Sequence, residues 1–421
     1  MKTKKSFALG YSLVVHSILT FFIFGAFTTS GMNVWNGAFS AVHGWETAAL
    51  LSMATIASLI GVLGSILFGQ LVAKKGARII IFITMTICGL AIMVFGFVPS
   101  IFGYLICMTI FNFAGHGFCS VGSNAVIGNW FPRRKGFILG ITTMGLPAAS
   151  FLFVPIISVS IGRMGLQNAF LVIGAAVTVL GIASWFWIRN TPQEVGLEPD
   201  NGKFPDTEII LHDSGQPSQW TVRKLLCNRN AWLLAIAYGL LFLVTQGMVS
   251  QTVVYLLQHG FVQSKAVSML SIAAAIGIVG SFIWGVLDDK IGTKKASVIY
   301  AFWYIVTFVV MATASSPAMI VLGVILLGTS IGGIGNLMPS MIMTVFGVSD
   351  FASVSRMVQT IVNIVRSAAF VVMAIGLKLT GNYANTAWIL AVISLVSMIL
   401  IFLIKSEIRE RVSMHYEENC N

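Results

Sequence analysis

The sequence predicts an all-α membrane protein in which twelve transmembrane helices form two pseudo-symmetric six-helix bundles. Its composition is the first reason: 57% of the 421 residues are hydrophobic, 9% are charged, and the mean hydropathy is +0.90. Soluble domains do not reach such values. The second reason is that apolar runs of about 20 residues, long enough to cross a bilayer, occur repeatedly along the chain. The third is an internal repeat that relates its two halves.

Twelve apolar runs supply the predicted spans. The six of the first half lie near 7–30, 46–73, 79–98, 101–127, 136–158 and 168–188. The six of the second half lie near 231–257, 266–287, 296–314, 318–345, 352–377 and 386–404. We number these spans 1 to 12 in chain order.

A polar stretch that contains four prolines separates the two sets of spans. Its Pro and Gly content favours a linker over a third domain, with one surface helix near 219–227. The predicted organisation is an N-terminal bundle, a cytoplasmic linker, a C-terminal bundle and a cytoplasmic tail, which occupy residues 1–188, 189–229, 230–404 and 405–421.

The internal repeat joins the end of a span to a short basic loop in each half. Residues 61–78 recur at 277–294 with a constant offset of 216, and glycines and basic residues match between the two copies. A parallel repeat of two six-helix halves is the architecture with which secondary transporters build a path that opens to alternate sides. The repeat therefore favours a transporter over other classes of membrane protein.

Basic residues predict the orientation in the membrane. If the N-terminus is cytoplasmic, 20 of the 25 Lys and Arg residues lie on the cytoplasmic side. The positive-inside rule then predicts that both termini lie in the cytoplasm. We expect a multi-pass protein of the plasma (inner) membrane. The net charge of +11 follows from this bias, so no nucleic-acid partner is needed to explain it. The apolar N-terminal run is predicted to be span 1 rather than a cleaved signal peptide.

Arg366 is the most informative charge, because it lies within span 11. It is ten residues beyond Arg356, about 15 Å deeper in the membrane, whereas Arg356 can reach water at the span end. An arginine at that depth costs about 2.5–3.5 kcal/mol to insert and should face protein or a water-filled cavity. All 14 acids lie in loops, in tails or at span ends. The planar guanidinium therefore predicts a site for a carboxylate; the alternative is a bond to backbone carbonyls at a broken helix.

Other polar side chains at span depth tend to face the interior and complete the candidate site. The substrate-binding candidates besides Arg366 are Asn112, His116, Gln246, Asn336 and Asn363. His16 and His116 are candidates to carry a proton, because imidazole titrates near neutral pH. The alternative for each of these residues is an interhelical hydrogen bond. Without an intramembrane carboxylate, anion exchange and proton coupling both remain open.

The loop motifs resemble those of the major facilitator superfamily. Residues 285–294, GVLDDKIGTK, match the family pattern between helices 8 and 9; residues 69–78, GQLVAKKGAR, match less well because Ala73 replaces the usual aspartate. The resemblance implies the major facilitator fold and a charged latch that is weakened in the first half. The candidate gating residues of this latch are Lys74, Arg78, Asp289, Lys290 and Lys294.

Two further motifs resemble the oxalate/formate antiporter and monocarboxylate transporter branch of that superfamily. They are NWFPRRKG at 129–136 and NTPQEVGLEPD at 190–200. The resemblance places Arg366 at the position of a helix 11 lysine that contributes positive charge to the binding cavity. Ser281 stands where the branch carries a helix 8 arginine, so one of the two cations is missing. This implies a monoanion rather than a dianion.

Three residues at the start of span 9, Tyr300, Trp303 and Tyr304, are predicted to form an interfacial aromatic belt. The five cysteines show no metal-ligand spacing, and no glycine-rich stretch resembles a phosphate loop. No HExxH or GxSxG motif and no carboxylate pair lies at bilayer depth. We therefore expect no metal, no cofactor and no enzymatic activity.

The sequence as a whole predicts a monomeric secondary transporter in the lipid bilayer that carries a small organic monoanion, above all a monocarboxylate, by alternating access. Two alternatives remain open. One is an efflux pump for hydrophobic or amphipathic compounds, which normally places an acidic residue in its cavity. The other is a membrane sensor built on a transporter scaffold, which usually needs a larger cytoplasmic domain than this linker and tail provide.

Overall fold

The structure is a computed structural model that describes residues 2–131, 135–197, 220, 222–347 and 351–405. Nearly all of these residues are helical. The predicted tail beyond residue 405, the linker over 198–219 and the side chain of Ala73 lie outside the described residues. The surface helix expected within the linker is confirmed as a short helix over Val222–Cys227.

The described residues of the first half form nine α-helical segments, some joined by π-helical turns at Ala26–Ser30, His116–Ser123 and Ala149–Phe153. These segments are α1 (Lys2–Gly25), α2 (Met32–His43), α3 (Thr47–Lys75), α4 (Ala77–Phe95), α5 (Ile101–Gly115), α6 (Asn124–Trp130), α7 (Lys135–Thr143), α8 (Gly145–Ala148) and α9 (Val154–Trp187). A 3₁₀ turn follows at Pro192–Val195.

The second half follows the short linker helix, α10 (Val222–Cys227). Its segments are α11 (Arg229–Gln258), α12 (Gln263–Ile291), α13 (Thr293–Thr313), α14 (Pro317–Ile331), α15 (Ile334–Phe346), α16 (Phe351–Ser367), α17 (Ala369–Thr380) and α18 (Tyr383–Leu403). The helices α14 and α15 are bent by 41° at a short break, and α16 and α17 together form one candidate span.

The described residues contain ten helical stretches that are long and apolar enough to cross a membrane, and the bent pair supplies an eleventh. One of the ten, over 138–187, has 50 residues. At 1.5 Å per residue it is more than twice as long as the hydrocarbon core requires. Gly165 interrupts it with a φ of 78°, between predicted spans 5 and 6. Division at this glycine gives the twelve predicted spans.

The helices group into two compact units. The first consists of the described residues within Met1–Pro205, Gly247–Ala275 and Phe370–Tyr383, and the second of those within Asp206–Gln246, Ile276–Ala369 and Ala384–Asn421. The first unit thus includes the described first half together with two segments of the second half. The bundle boundaries predicted at 1–188 and 230–404 stay a prediction.

Glycines bring α4 and α9 into close contact in the first unit. A Cβ atom at Gly174 would lie 2.4 Å from the backbone nitrogen of Met93, and one at Gly89 would lie 2.4 Å from Oγ1 of Thr178. Such small residues let membrane helices approach each other backbone to backbone, where dispersion and weak polar contacts hold them together. The closeness of this helix pair therefore depends on the absence of side chains.

We expect Gly174→Ala to destabilise the protein by about 1–3 kcal/mol, because the new methyl group overlaps backbone that cannot move alone. The measurement is the thermal unfolding temperature of the purified protein in detergent. Gly162→Ala is the control, since Gly162 lies in the part of α9 before the break at Gly165 and a Cβ atom there would meet no neighbouring group within 4 Å. Equal unfolding temperatures for the two variants would contradict the close contact.

Candidate functional site

Two helices of the second unit bring Arg366 and Gln246 together. Arg366 lies in the last turn of α16, where a cation complements the carbonyl end of the helix dipole. Its Nε donates a hydrogen bond to Oε1 of Gln246 on α11, a residue that is only 6% exposed. The guanidinium carbon lies 5.7 Å from the ring centroid of Phe242, one turn earlier on α11. The sequence analysis named Arg366 and Gln246 as candidates, and the structure places them in contact.

The acceptor that Arg366 meets in α11 is neutral. An amide oxygen satisfies an N–H donor but leaves the positive charge of the guanidinium in place. The acids among the described residues lie at helix ends or turns rather than at mid-span; they are Glu46, Glu194, Asp288 and Asp289. The arrangement therefore holds a hydrogen-bonded cation in a membrane-spanning helix, which is the electrostatic setting that attracts an anion.

Asn336 and Ser281 form a second polar contact in the second unit. The Nδ2 of Asn336, in α15, donates to Oγ of Ser281 at 2.8 Å and to its backbone oxygen at 3.2 Å. The pair ties the second part of the bent helix to α12. Asn363 is half-buried in α16, and its backbone oxygen accepts a hydrogen bond from Ser367. The position that the family resemblance assigns to a second cation thus holds a neutral pair.

The remaining substrate-binding candidates, Asn112 and His116, lie in the first unit. Nδ2 of Asn112 donates to the backbone oxygen of Met108 at 2.9 Å. Nδ1 of His116 lies 3.0 Å from Oγ of Ser120. The centroid of its ring lies 5.5 Å from that of Phe24. His116 begins the π-helical turn His116–Ser123, a backbone irregularity that is frequent at functional sites. Their role in binding stays a prediction.

His16 packs between two helices of the first unit. Its Nε2 lies 2.7 Å from Oγ of Ser184 and its ring lies 5.3 Å from that of Trp187, both in α9. The side chain is 2% exposed. The contact is an interhelical hydrogen bond, the alternative that the sequence analysis left open, and proton transport by His16 stays a prediction.

The predicted gating cations Arg78 and Lys294 make equivalent contacts in their own units. Arg78 donates from Nε to the backbone oxygen of Trp185 at 2.7 Å, and its guanidinium lies 4.4 Å from that indole ring. Lys294 donates from Nζ to the backbone oxygen of Ile404 at 2.8 Å. Each cation thus caps carbonyls at the end of the last span of its half, as basic residues do at helix C-termini. The side chains of the other gating candidates, Lys74, Asp289 and Lys290, are exposed.

Comparison with known proteins identifies the family. The family model described as Major Facilitator Superfamily matches residues 16–370, which is most of the chain. The chain belongs to the Major Facilitator Superfamily. It is therefore a multi-pass membrane protein of a transporter family, and the predicted fold is confirmed.

Individual relatives of this superfamily member are distant. Monocarboxylate transporter 12 of Rattus norvegicus is 24% identical over 245 residues, which are 54% of this chain and 49% of that protein. The match thus spans about half the length of the rat protein. Putative glycerol-3-phosphate transporter 1 of Arabidopsis thaliana is 24% identical over 92% of this chain and 81% of its own length.

Among solved structures, a bacterial homolog of the human lysosomal transporter Spinster, in an inward-facing and unoccupied conformation, superposes with a TM-score of 0.73. The superposition covers 94% of this chain and 96% of that chain, at 14% sequence identity. At that identity the likeness shows the fold alone.

The predicted aromatic belt of this superfamily member is wrong at two of its three positions. Tyr300 and Tyr304 are 0% exposed. The hydroxyl of Tyr304 lies 2.5 Å from Oγ1 of Thr245, and the hydroxyl of Tyr300 donates to the backbone oxygen of Ser330, near the break between α14 and α15. Trp303 is half-buried and donates to the hydroxyl of Thr329. Carbonyls near a helix break need donors, and in a membrane buried tyrosines can supply them.

Asn33 is a residue that the sequence analysis missed. Its Nδ2 donates to the backbone oxygen of Val249 at 2.8 Å, and its Oδ1 accepts from the backbone nitrogen of Val253 at 3.0 Å. A regular α-helix pairs these two backbone groups with each other, so the amide inserts into the hydrogen-bond ladder of α11. The side chain is 4% exposed, and both helices meet within the first unit. Asn33 thus ties the first half of this transporter to span 7.

We expect Asn33→Ala to accelerate amide hydrogen exchange over residues 247–258 by about tenfold, because two hydrogen bonds of about 0.5–1.5 kcal/mol each are lost. Mass spectrometry of the exchanged peptides measures it. Asn168→Ala is the control, since the exposed Asn168 forms a local hydrogen bond to the backbone oxygen of Met164 in its own helix. Unchanged exchange over 247–258 in Asn33→Ala would contradict the tie.

Proposed function

We propose that this member of the Major Facilitator Superfamily transports a small organic monoanion, most simply a monocarboxylate, by alternating access. The observation that carries the proposal is the placement of Arg366 against Gln246 and Phe242 in α11. The acceptor that α11 supplies is a neutral amide, so this contact does not neutralise the guanidinium. A planar guanidinium and a carboxylate can form two parallel charge-assisted hydrogen bonds, which are stronger than bonds between neutral groups.

The charge count supports a monoanion. Arg366 is a single cation, and Asn336 pairs with Ser281 at the position where the family resemblance expects a second one. A dianion bound to one cation would carry an uncompensated negative charge into the membrane, which is costly. One carboxylate per substrate therefore fits the site better than two.

The relatives support two kinds of anion. The similarity to monocarboxylate transporter 12 of the rat supports a carboxylate. The similarity to putative glycerol-3-phosphate transporter 1 of Arabidopsis thaliana extends over 92% of this chain and supports a second candidate function, transport of a phosphate monoester. A guanidinium fork suits both groups. We favour the carboxylate, because a phosphate monoester is mostly dianionic at neutral pH.

The coupling mode is also part of the proposal. An empty positive site resists movement across the hydrocarbon, which favours exchange of one anion for another. Symport with a proton through His16 or His116 is the second mode. The distribution of Lys and Arg residues supports cytoplasmic termini. We further propose that the protein acts as a monomer in the plasma (inner) membrane.

We expect Arg366→Gln to lower the initial uptake of labelled monocarboxylates into proteoliposomes about 100-fold. The reason is that about 3 kcal/mol of charge-assisted hydrogen bonding is lost. Lys378→Gln is the matched control, since Lys378 is an exposed cation in α17 of the same span. Normal uptake by Arg366→Gln would overturn the anion site and leave only the transporter fold.

The same vesicles separate the coupling modes and the two candidate anions. Acceleration by an internal counter-anion indicates exchange, whereas acceleration by an inward proton gradient indicates symport. Uptake of labelled glycerol 3-phosphate in place of every monocarboxylate tested would favour the phosphate ester as substrate. Absence of uptake for both classes of anion would contradict the proposed function.

We also expect oxalate, a dianion, to compete poorly with monocarboxylate uptake by the wild type. Ser281→Arg should strengthen oxalate competition about tenfold, because a second cation then balances the second charge. The measurement is the oxalate concentration that halves uptake, with Ser281→Gln as the neutral control of similar size. Competition by oxalate as strong as that of a monocarboxylate in the wild type would contradict the monoanion proposal.

A further inference from the structure

The amide of Gln246 occupies a hydrogen-bond donor of Arg366 that a carboxylate could also use. Its Oε1 accepts the hydrogen bond from Nε of Arg366, and the whole side chain is buried. Phe242 lies four residues earlier on α11, on the same face, and faces the guanidinium with its ring. One turn of α11 thus supplies both a hydrogen-bond acceptor and an aromatic surface for the cation.

A neutral acceptor has a specific consequence for an arginine in a membrane. Removing a guanidinium from water is costly unless its N–H groups find acceptors. The amide of Gln246 provides one such acceptor when no substrate is bound. A carboxylate oxygen is the stronger acceptor, because both partners of the bond are then charged. An incoming carboxylate can therefore displace the amide, whereas an uncharged oxygen has no such advantage over it.

Neighbouring contacts fix the direction in which Gln246 points. The preceding residue, Thr245, donates from Oγ1 to the backbone oxygen of Leu241 at 2.6 Å and lies 2.5 Å from the hydroxyl of Tyr304. Tyr304 in turn lies 3.3 Å from the hydroxyl of Tyr300. These bonds lock the rotation of α11 against α13 at residue 245. They thereby fix the face of α11 from which Gln246 projects, and its Oε1 accepts from Arg366 in α16.

We propose that Gln246 is a resident ligand of Arg366, which accepts from Nε of the guanidinium in the empty site and is displaced by the carboxylate of the substrate. This inference rests on the proposed function, since it requires Arg366 to bind the substrate anion. It makes Gln246 a specificity-determining residue. A carboxylate outcompetes the resident amide, and the uncharged amide of the same compound does not. Tyr304 and Thr245 are positioning residues that act through Gln246.

The test measures binding to the purified full-length protein by titration calorimetry. The probes are lactate and benzoate, each beside its own primary amide, lactamide and benzamide. In Gln246→Met, which keeps the volume but removes the acceptor, we expect the carboxylates to bind about tenfold more tightly, because no hydrogen bond must be displaced (about 1.4 kcal/mol). We also expect this variant to bind the amides, which the wild type rejects.

Three further variants complete the test. Gln246→Asn shortens the side chain by one methylene and should reproduce the effects of Gln246→Met. It therefore replaces Gln246→Met if that variant does not fold. Gln246→Glu places a permanent carboxylate beside Arg366 and should abolish binding of both carboxylates. Gln167→Glu, which adds the same charge at an exposed position of α9, should bind them normally.

The outcomes separate this inference from the proposed function. In one outcome, Arg366→Gln loses carboxylate binding, but Gln246→Met and Gln246→Asn bind carboxylates no more tightly than the wild type. This result overturns the resident-ligand inference and leaves the proposed function standing. Weaker binding by these variants would make Gln246 a direct ligand of the substrate, which also overturns it. Carboxylate binding that is unchanged in Arg366→Gln, or absent in the wild type, would overturn both.

Discussion

The hydrogen bond between Arg366 and Gln246 is the interaction on which the functional account depends. A guanidinium within a span must meet acceptors or an anion, because lipid offers neither. In the structure, α11 supplies one such acceptor, the neutral amide of Gln246, and this bond leaves the charge of the arginine in place. The proposed binding of an anion and the proposed exclusion of uncharged analogues both depend on this choice of acceptor, and the proposed preference for one carboxylate depends on the neutral Asn336–Ser281 pair.

The internal repeat has a counterpart in the contacts of its two loops. Arg78 and Lys294 are separated by the offset of 216 that relates the halves, and each donates to a backbone oxygen at the end of the last span of its own half. The loops therefore brace span 6 and span 12 in the same way, whatever ion pairs they also form. This bracing is a structural role for cations that the sequence analysis named only as gating residues.

The features that could be predicted from the sequence are those that depend on one segment alone. Hydropathy located the spans, and the gap between spans 5 and 6 contains the observed break at Gly165. The rule that polar groups at depth face inwards selected both Arg366 and Gln246. Their pairing was not predictable, because it depends on the rotation of α11, which Thr245 and Tyr304 fix through a contact between distant segments.

The errors have the same origin. Tyr300 and Tyr304 lie near a span end, which favours an interfacial belt, but the break in span 10 exposes carbonyls that only a neighbouring helix can satisfy. Asn33 escaped notice because its partners are backbone atoms of α11. The most direct test of the central claim is an experimental structure of the protein with a bound monocarboxylate. We expect the carboxylate within hydrogen-bond distance of Arg366, with the Gln246 amide displaced. A carboxylate bound elsewhere, with the Arg366–Gln246 bond intact, would contradict the proposed anion site.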